Sequence, residues 1–447
     1  MSKVVWFIHP DLGIGGAEML VVNAAVALQK KGYEVSIFTS HHDVSHCFAE
    51  TKVGGSLYTN VQVYGDFIPR TIAGRLHVVC AVLRMIWVSC RMILLRWFGG
   101  MSSPDVVICD QVSHVVPLLR YGICVPVLFY CHFPDKLLCV ERGSLLKRLY
   151  RAPVDFLEEL TTGMAHLVLV NSKFTQEVFK RSFTSLANLD TKVLYPAIDL
   201  TEFDRELTPE KHDDAFQSLP EPFMKHLSRY QKDSILLLSI NRFERKKNIL
   251  LAIESLKKLV NEPQAFNTDT LHLLLAGGYD PRVEENVSYM QDLTHAVSEA
   301  GLNNRVSFLK SFTNDQRLLL MSMSRCVVYT PDREHFGIVP IEAMYAGCPV
   351  VAVASGGPLE SIVHGETGFL EKQTSDDFAK AIGILASDAA LAKTMGLKGR
   401  ERVQNVFSLN AFGDSLDSAV AGMLITRQSN LPLLASILFC IVLAVYF

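Results

Sequence analysis

Twice along its length this chain sets a short apolar run before a loop rich in glycine or charge and then a stretch of helical periodicity. That alternation leaves few folds open. Residues 4–9 lead through Asp11-Leu12-Gly13-Ile14-Gly15-Gly16-Ala17-Glu18 into an amphipathic segment closed by Gly32, and a second apolar run follows at 33–39. Further strands are predicted at 106–109, 125–130 and 167–170. The polar stretch 201–233, with three prolines, reads as a linker. The pattern then restarts, with strands at 235–240, 271–276, 306–309, 326–329 and 350–352 and helices at 249–259, 282–300, 315–323 and 339–345. The expected fold is α/β: two Rossmann-like, doubly wound domains, 1–200 and 234–407, facing each other across a cleft, then a C-terminal helix at 408–430 and an apolar tail at 431–447. Ligands of such sheets bind outside the carboxyl ends of the strands, so the loops there carry the search for chemistry.

The charge balance excludes one class of partner. A net charge of −3 among 447 residues leaves no basic surplus for a polynucleotide, so no nucleic acid is expected. Charged residues make up only 20%, and the mean hydropathy is +0.22. The excess sits in two segments. Residues 431–447 hold 17 residues without a charge, which as a helix at ~1.5 Å per residue fall a little under the ~30 Å hydrocarbon core and leave a spanning or anchoring segment and a buried C-terminal core helix as the readings. Arg427 precedes them, which by the positive-inside bias leaves the body in the cytosol. Residues 76–98 are apolar apart from His77, Arg84, Arg91, Arg96 and a few small polar residues. Each arginine would cost roughly 2.5–3.5 kcal/mol near a bilayer centre, which argues against spanning. His77, Arg84 and Arg91 recur every seven residues as one basic stripe. Two readings stay open: a helix lying in the membrane interface on anionic headgroups, or a core helix with a basic solvent face. The ten cysteines form no C-x-x-C pair and read as buried thiols. The apolar run at 4–8 is too short for a signal-peptide core, and the sequon at Asn286 is expected to be unused.

Six loops hold candidate chemistry. Gly13, Gly15 and Gly16 stand between the first strand and helix, where missing β-carbons admit a phosphate to the helix N-terminus. The spacing departs from G-x-G-x-x-G, and no acid is clearly placed for a ribose, which disfavours a nicotinamide dinucleotide. Asn241-Arg242-Phe243-Glu244-Arg245-Lys246-Lys247-Asn248 puts cations just before a helix, opposing its dipole unless an anion binds there. Arg242 and Lys247 suit a diphosphate, one as a planar fork and one as a point charge. Gly277-Gly278 after the next strand also permits close approach. Glu334-His335-Phe336-Gly337-Ile338-Val339-Pro340-Ile341-Glu342 places one carboxylate on a loop and another on a helix, with the amides of 336–339 between them and Ser355-Gly356-Gly357-Pro358 nearby. His132 follows a predicted strand end.

The run Glu334-x-Phe336-Gly337-x-x-x-x-Glu342, with Gly15-Gly16-Ala17-Glu18 and residues 242–247, resembles the retaining GT-B glycosyltransferases that include sucrose synthase and many mannosyltransferases. His9-Pro10-Asp11, Cys131-His132-Phe133-Pro134-Asp135 and Leu149-Tyr150-Arg151-Ala152-Pro153 narrow the resemblance to the α-1,3/1,6-mannosyltransferases of the dolichol-linked oligosaccharide pathway, from about residue 4 to 407. Asn248 departs from the glycine common after this lysine.

The resemblance implies a GDP-mannose donor held mainly by the second domain and a dolichyl-diphosphate oligosaccharide acceptor presented from the membrane to the first. Glu334, His132, Arg242 and Lys247 would be catalytic. Gly15, Gly16, Arg242, Lys247, Gly277, Gly278, Phe336, Gly337, Ile338, Val339 and Glu342 would bind the donor, and the backbone of 306–312 would line the base pocket. It also implies work at the endoplasmic reticulum membrane with the body on the cytosolic face, beside other glycosyltransferases of the pathway. No Asp-x-Asp occurs, so no cofactor is required and a divalent ion is not demanded. A transferase using UDP-N-acetylglucosamine on another lipid and a non-catalytic nucleotide-sugar scaffold are the alternative readings.

Overall fold

A computed structural model describes residues 2–72, 76–138, 145–198, 200–205 and 208–425. The tail at 431–447 lies outside the described residues. The chain forms two compact units. Residues through Ala197 with the returning helix Leu409–Ile425 make one, and Ile198–Ser408 the other.

The first unit is a wholly parallel sheet of β1 (Val4–His9), β2 (Glu34–Thr39), β3 (Val61–Val63), β4 (Val106–Asp110), β5 (Val127–Cys131), β6 (Leu167–Val170) and β7 (Thr191–Val193). Its spatial order is β3-β2-β1-β4-β5-β6-β7. β1, β4 and β5 are buried along their whole length, because helices cover both faces. On one face α1 (Gly16–Lys30) and Leu409–Ile425 pack Leu20, Ala24, Leu28, Phe412, Leu416 and Val420 into one cluster with the sheet. On the other, α2 (His77–Phe98) contributes Met85, Val88 and Met92 against Trp6, Ile8 and Phe38.

The second unit repeats this winding with β8 (Ile235–Ile240), β9 (Leu271–Gly277), β10 (Val306–Lys310), β11 (Cys326–Tyr329), β12 (Val350–Val353) and β13 (Gly368–Glu371), ordered β10-β9-β8-β11-β12-β13. In both sheets the strand order reverses at the first strand. The loops after β1 and β4, and after β8 and β11, therefore flank a topological switch point.

Several expectations need correction. Residues 201–233 are largely helical, and their prolines sit at the starts of Pro209–Gln217 and Glu221–Tyr230, where a missing N–H costs nothing. His226 of the latter is buried, with Nε2 2.9 Å from the Thr270 carbonyl. The basic residues of α2 do not form a solvent or headgroup stripe. Arg84 is buried and donates to the Ser40 carbonyl and to Asp66, each at 3.2 Å. Arg91 lies over the Tyr64 ring, and Arg96 lies over that of Trp97. The outward side is apolar instead: Trp87, Leu94, Trp97 and Phe98 are exposed, Phe98 by 85%. Cys90 is exposed too, whereas Cys47, Cys80, Cys109, Cys131, Cys326 and Cys348 are buried thiols. Asn286 of the sequon is buried, its amide donating to the Phe243 carbonyl and accepting from the Asp280 amide.

Candidate active site

In the second unit, β8 ends beside β11, and a cation from one loop meets a carboxylate from the other. Lys247, in the short turn Arg245–Lys247, forms an ion pair with Glu334 on the loop after β11. Both side chains are largely enclosed, 13% and 26% exposed, so their attraction is less screened than a surface pair's. The turn ends at Asn248, whose φ of 45° is left-handed, and asparagine tolerates there what most residues do not. Thr330 clamps the turn from β11's end, its hydroxyl donating to the Lys247 carbonyl at 2.7 Å. Arg242 is separate in character: 63% exposed, it pairs with Glu244 at 2.9 Å.

Glu342 is on the helix Ile338–Tyr345, as the eight-residue spacing requires, but its partner is Arg317 at 2.6 Å, from the helix Asn314–Met323. Sequence reasoning missed Arg317, since no motif surrounds it. Gly337 caps Ile338–Tyr345 at φ 80° and brings no capping side chain to the helix's positive end. Pro340 supplies no N–H, and Phe336 is buried with its ring against Phe407.

The glycines permit close approach, in part by the chain itself. A β-carbon on Gly277 would come within 1.7 Å of the Asn241 carbonyl oxygen, so this glycine lets two chain segments touch. Gly278 would meet only Arg242, at ordinary contact distance. A β-carbon on Gly357 would meet the Phe336 carbonyl at 1.9 Å, and the Gly357 amide donates to the Glu334 carbonyl at 2.8 Å. The loop after β12 thus buttresses the one bearing Glu334. At 306–312, the Ser311 amide donates to the Gly277 carbonyl at 2.7 Å.

In the first unit, Gly15 precedes α1 and Gly16 begins it. A β-carbon on Gly15 would lie 2.2 Å from the Glu18 carboxylate, which folds back over the helix start, whereas one on Gly16 would meet nothing. His132 follows β5, and its Nε2 lies 3.0 Å from Asp110 Oδ2. The Arg151 motif supports the same loop. Arg151 pairs with Asp135 at 2.8 Å, and Glu158 accepts from the amides of Asp135 and Lys136 at 2.7 and 3.1 Å. Burial pushes the Glu158 carboxyl up to about 7 despite those bonds.

Two doubly wound parallel sheets with charged loops at their switch points are arranged as in the GT-B fold, and solved structures share it. Sucrose-phosphate synthase from Thermosynechococcus elongatus aligns with a TM-score of 0.65 at 21% identity, over 95% of this chain and 100% of that one. WaaG, a glycosyltransferase involved in lipopolysaccharide biosynthesis, aligns at 0.61 and 15% identity, over 94% and 100%. Residues 14–202 match Glycosyltransferase Family 4, and residues 223–402 match Glycosyl transferases group 1.

Curated relatives narrow the class. The α-1,3/1,6-mannosyltransferase ALG2 of Homo sapiens is 47% identical, covering 94% of this chain and 96% of the relative. Its counterpart in Rhizomucor pusillus is 44% identical, covering 96% and 93%. The chain belongs to the α-1,3/1,6-mannosyltransferase family.

Proposed function

We propose that the protein transfers mannose from GDP-mannose, with retention, to a dolichyl-diphosphate-linked oligosaccharide, forming the α-1,3 and α-1,6 branches during N-glycan precursor assembly. Family membership supports the sugar and the linkages, and the Lys247–Glu334 pair at the switch point of the second sheet carries the site assignment. Lys247 neutralises the departing diphosphate, and the exposed Arg242 leaves Glu244 to swing onto it. A diphosphate that draws the Lys247 ammonium frees Glu334 for the mannose hydroxyls, so donor binding itself arms the carboxylate. Glu342, fixed by Arg317, holds the ribose, and the amides of Ile338 and Val339 take part of the phosphate charge. Stabilising that developing charge is the dominant catalytic contribution, because a nucleoside diphosphate needs no strong general acid. Glu334 and the leaving phosphate flank an oxocarbenium-like state in a front-side displacement. The reaction requires no cofactor and does not demand a divalent ion.

The acceptor is a lipid, so the body works at the endoplasmic reticulum membrane from the cytosolic face, beside the pathway's other glycosyltransferases. The exposed apolar side of α2 suits contact with the membrane interface, though through Trp87 and Phe98 rather than a basic stripe. Lys247→Ala and Glu334→Ala are expected to abolish mannose transfer in folded protein, measured with GDP-mannose and a lipid-diphosphate acceptor. Full activity in either variant would remove that residue from the mechanism.

A further inference from the structure

His9 ends β1, Asp110 ends the adjacent β4, and His132 follows the next strand, β5, so the sheet order sets three titratable side chains in a row. They touch in series. His9 Nδ1 lies 2.7 Å from Asp110 Oδ1, and His132 Nε2 lies 3.0 Å from Asp110 Oδ2. Behind them His9 Nε2 is 3.7 Å from Glu18 Oε1, on the first turn of α1. His9 is fully enclosed and Asp110 is 2% exposed, whereas the His132 side chain is 24% exposed.

A carboxylate buried this deeply persists only if a cation and hydrogen bonds compensate it. Burial alone would lower the pKa of His9, but the charge and hydrogen bond of Asp110, with those of Glu18, raise it to about 10. Burial likewise opposes ionisation of Asp110, and the charge of His9 with the hydrogen bonds from His132 and His9 brings it below the usual carboxylate range. His9 therefore donates through Nδ1–H, and the second oxygen of an ionised Asp110 accepts from His132. An acceptor-only partner at Nε2 fixes the His132 tautomer with its proton there and makes Nδ1 the ring's acceptor. The backbone is held too: Asn171 donates to the His132 carbonyl at 3.0 Å, and the Tyr130 ring packs edge-on against the imidazole.

We propose that His9 and Asp110 are positioning residues that hold His132 as its Nε2–H tautomer, so that Nδ1 accepts a hydrogen bond from a sugar hydroxyl during transfer. His9, fully enclosed, acts only through Asp110. The sugar part rests on the mannosyl-transfer reading, while the tautomer does not.

Nitrogen NMR of the full-length chain in detergent, labelled at the histidine rings, separates the two. Signals are assigned by their loss in His132→Gln and His9→Gln. In the unmodified protein the neutral His132 ring is expected to carry its proton at Nε2, and His9 to be protonated at both nitrogens near neutral pH. His132 protonated at Nδ1, or a neutral His9, overturns the proposal whatever the Asp110 variant does. In Asp110→Asn, whose amide offers either a donor or an acceptor, the His132 tautomers should mix, and kcat should fall about 10- to 100-fold, the worth of a charged hydrogen bond, with the donor KM nearly unchanged. A folded Asp110→Asn protein with unaltered tautomer or undiminished kcat also overturns it. The expected tautomer in a protein that transfers no mannose supports the relay and counts against the proposed function instead.

Discussion

Lys247 and Glu334 are 87 positions apart, and neither residue's motif names the other as its partner. The motifs give chemical type, a cation before one helix and a carboxylate before another, while the pairing depends on β8 lying beside β11. Arg317 shows the limit from the other side, since nothing marks it until the fold places it on Glu342. Arg317→Ala should raise the donor KM about tenfold or more by freeing Glu342, the carboxylate proposed to hold the ribose, with a smaller effect on kcat. Steady-state kinetics with varied GDP-mannose check this, and an unchanged KM would free Glu342 from dependence on Arg317. His9 predicts a pH dependence of stability. Its folded pKa of about 10 exceeds the ordinary 6.5, so its contribution is complete below about pH 6 and is lost as pH rises toward 10. The melting temperature should therefore fall across that window and flatten in His9→Gln. A flat profile in the unmodified protein contradicts a charged His9.

The long central strands were legible in the sequence because both faces are buried and the runs are apolar throughout. The edge strands β3, β7 and β13 were missed, being three or four residues long and less enclosed. Periodicity placed His77, Arg84 and Arg91 on α2 but could not say what each meets, because Asp66 and Tyr64, which receive Arg84 and Arg91, come from elsewhere in the chain. The glycines were legible as sites of close approach but not in what approaches, a ligand or the chain's own carbonyls. Gly357→Ala, forced onto the Phe336 carbonyl, should cost about 1–3 kcal/mol by overpacking and reduce transfer by displacing Glu334. Chemical denaturation and the transferase assay test both effects. Replacing Trp87 and Phe98 together with serine should weaken binding to vesicles with little loss of stability, since both are exposed. Flotation unchanged by that double substitution would exclude α2 from the membrane contact.

On the scale of the whole molecule, the chain leaves its first unit after Ala197 and returns to it with Leu409–Ile425, which packs on α1. Ending the chain at Ser408 would expose Leu20, Ala24 and Leu28 and remove Phe412, Leu416 and Val420, each worth about 1.5–3 kcal/mol when buried. Such a truncation should fail to give a stably folded first unit, as read by limited proteolysis. The function proposed for the complete protein combines a donor, a lipid acceptor and two linkages, and one reaction addresses all three. Purified full-length protein is incubated with GDP-mannose or UDP-N-acetylglucosamine and a dolichyl-diphosphate oligosaccharide, and the linkages of the product are sequenced. The account predicts mannose added from GDP-mannose alone in α-1,3 and α-1,6 linkage. Transfer of N-acetylglucosamine, or saturable GDP-mannose binding without turnover, would contradict it.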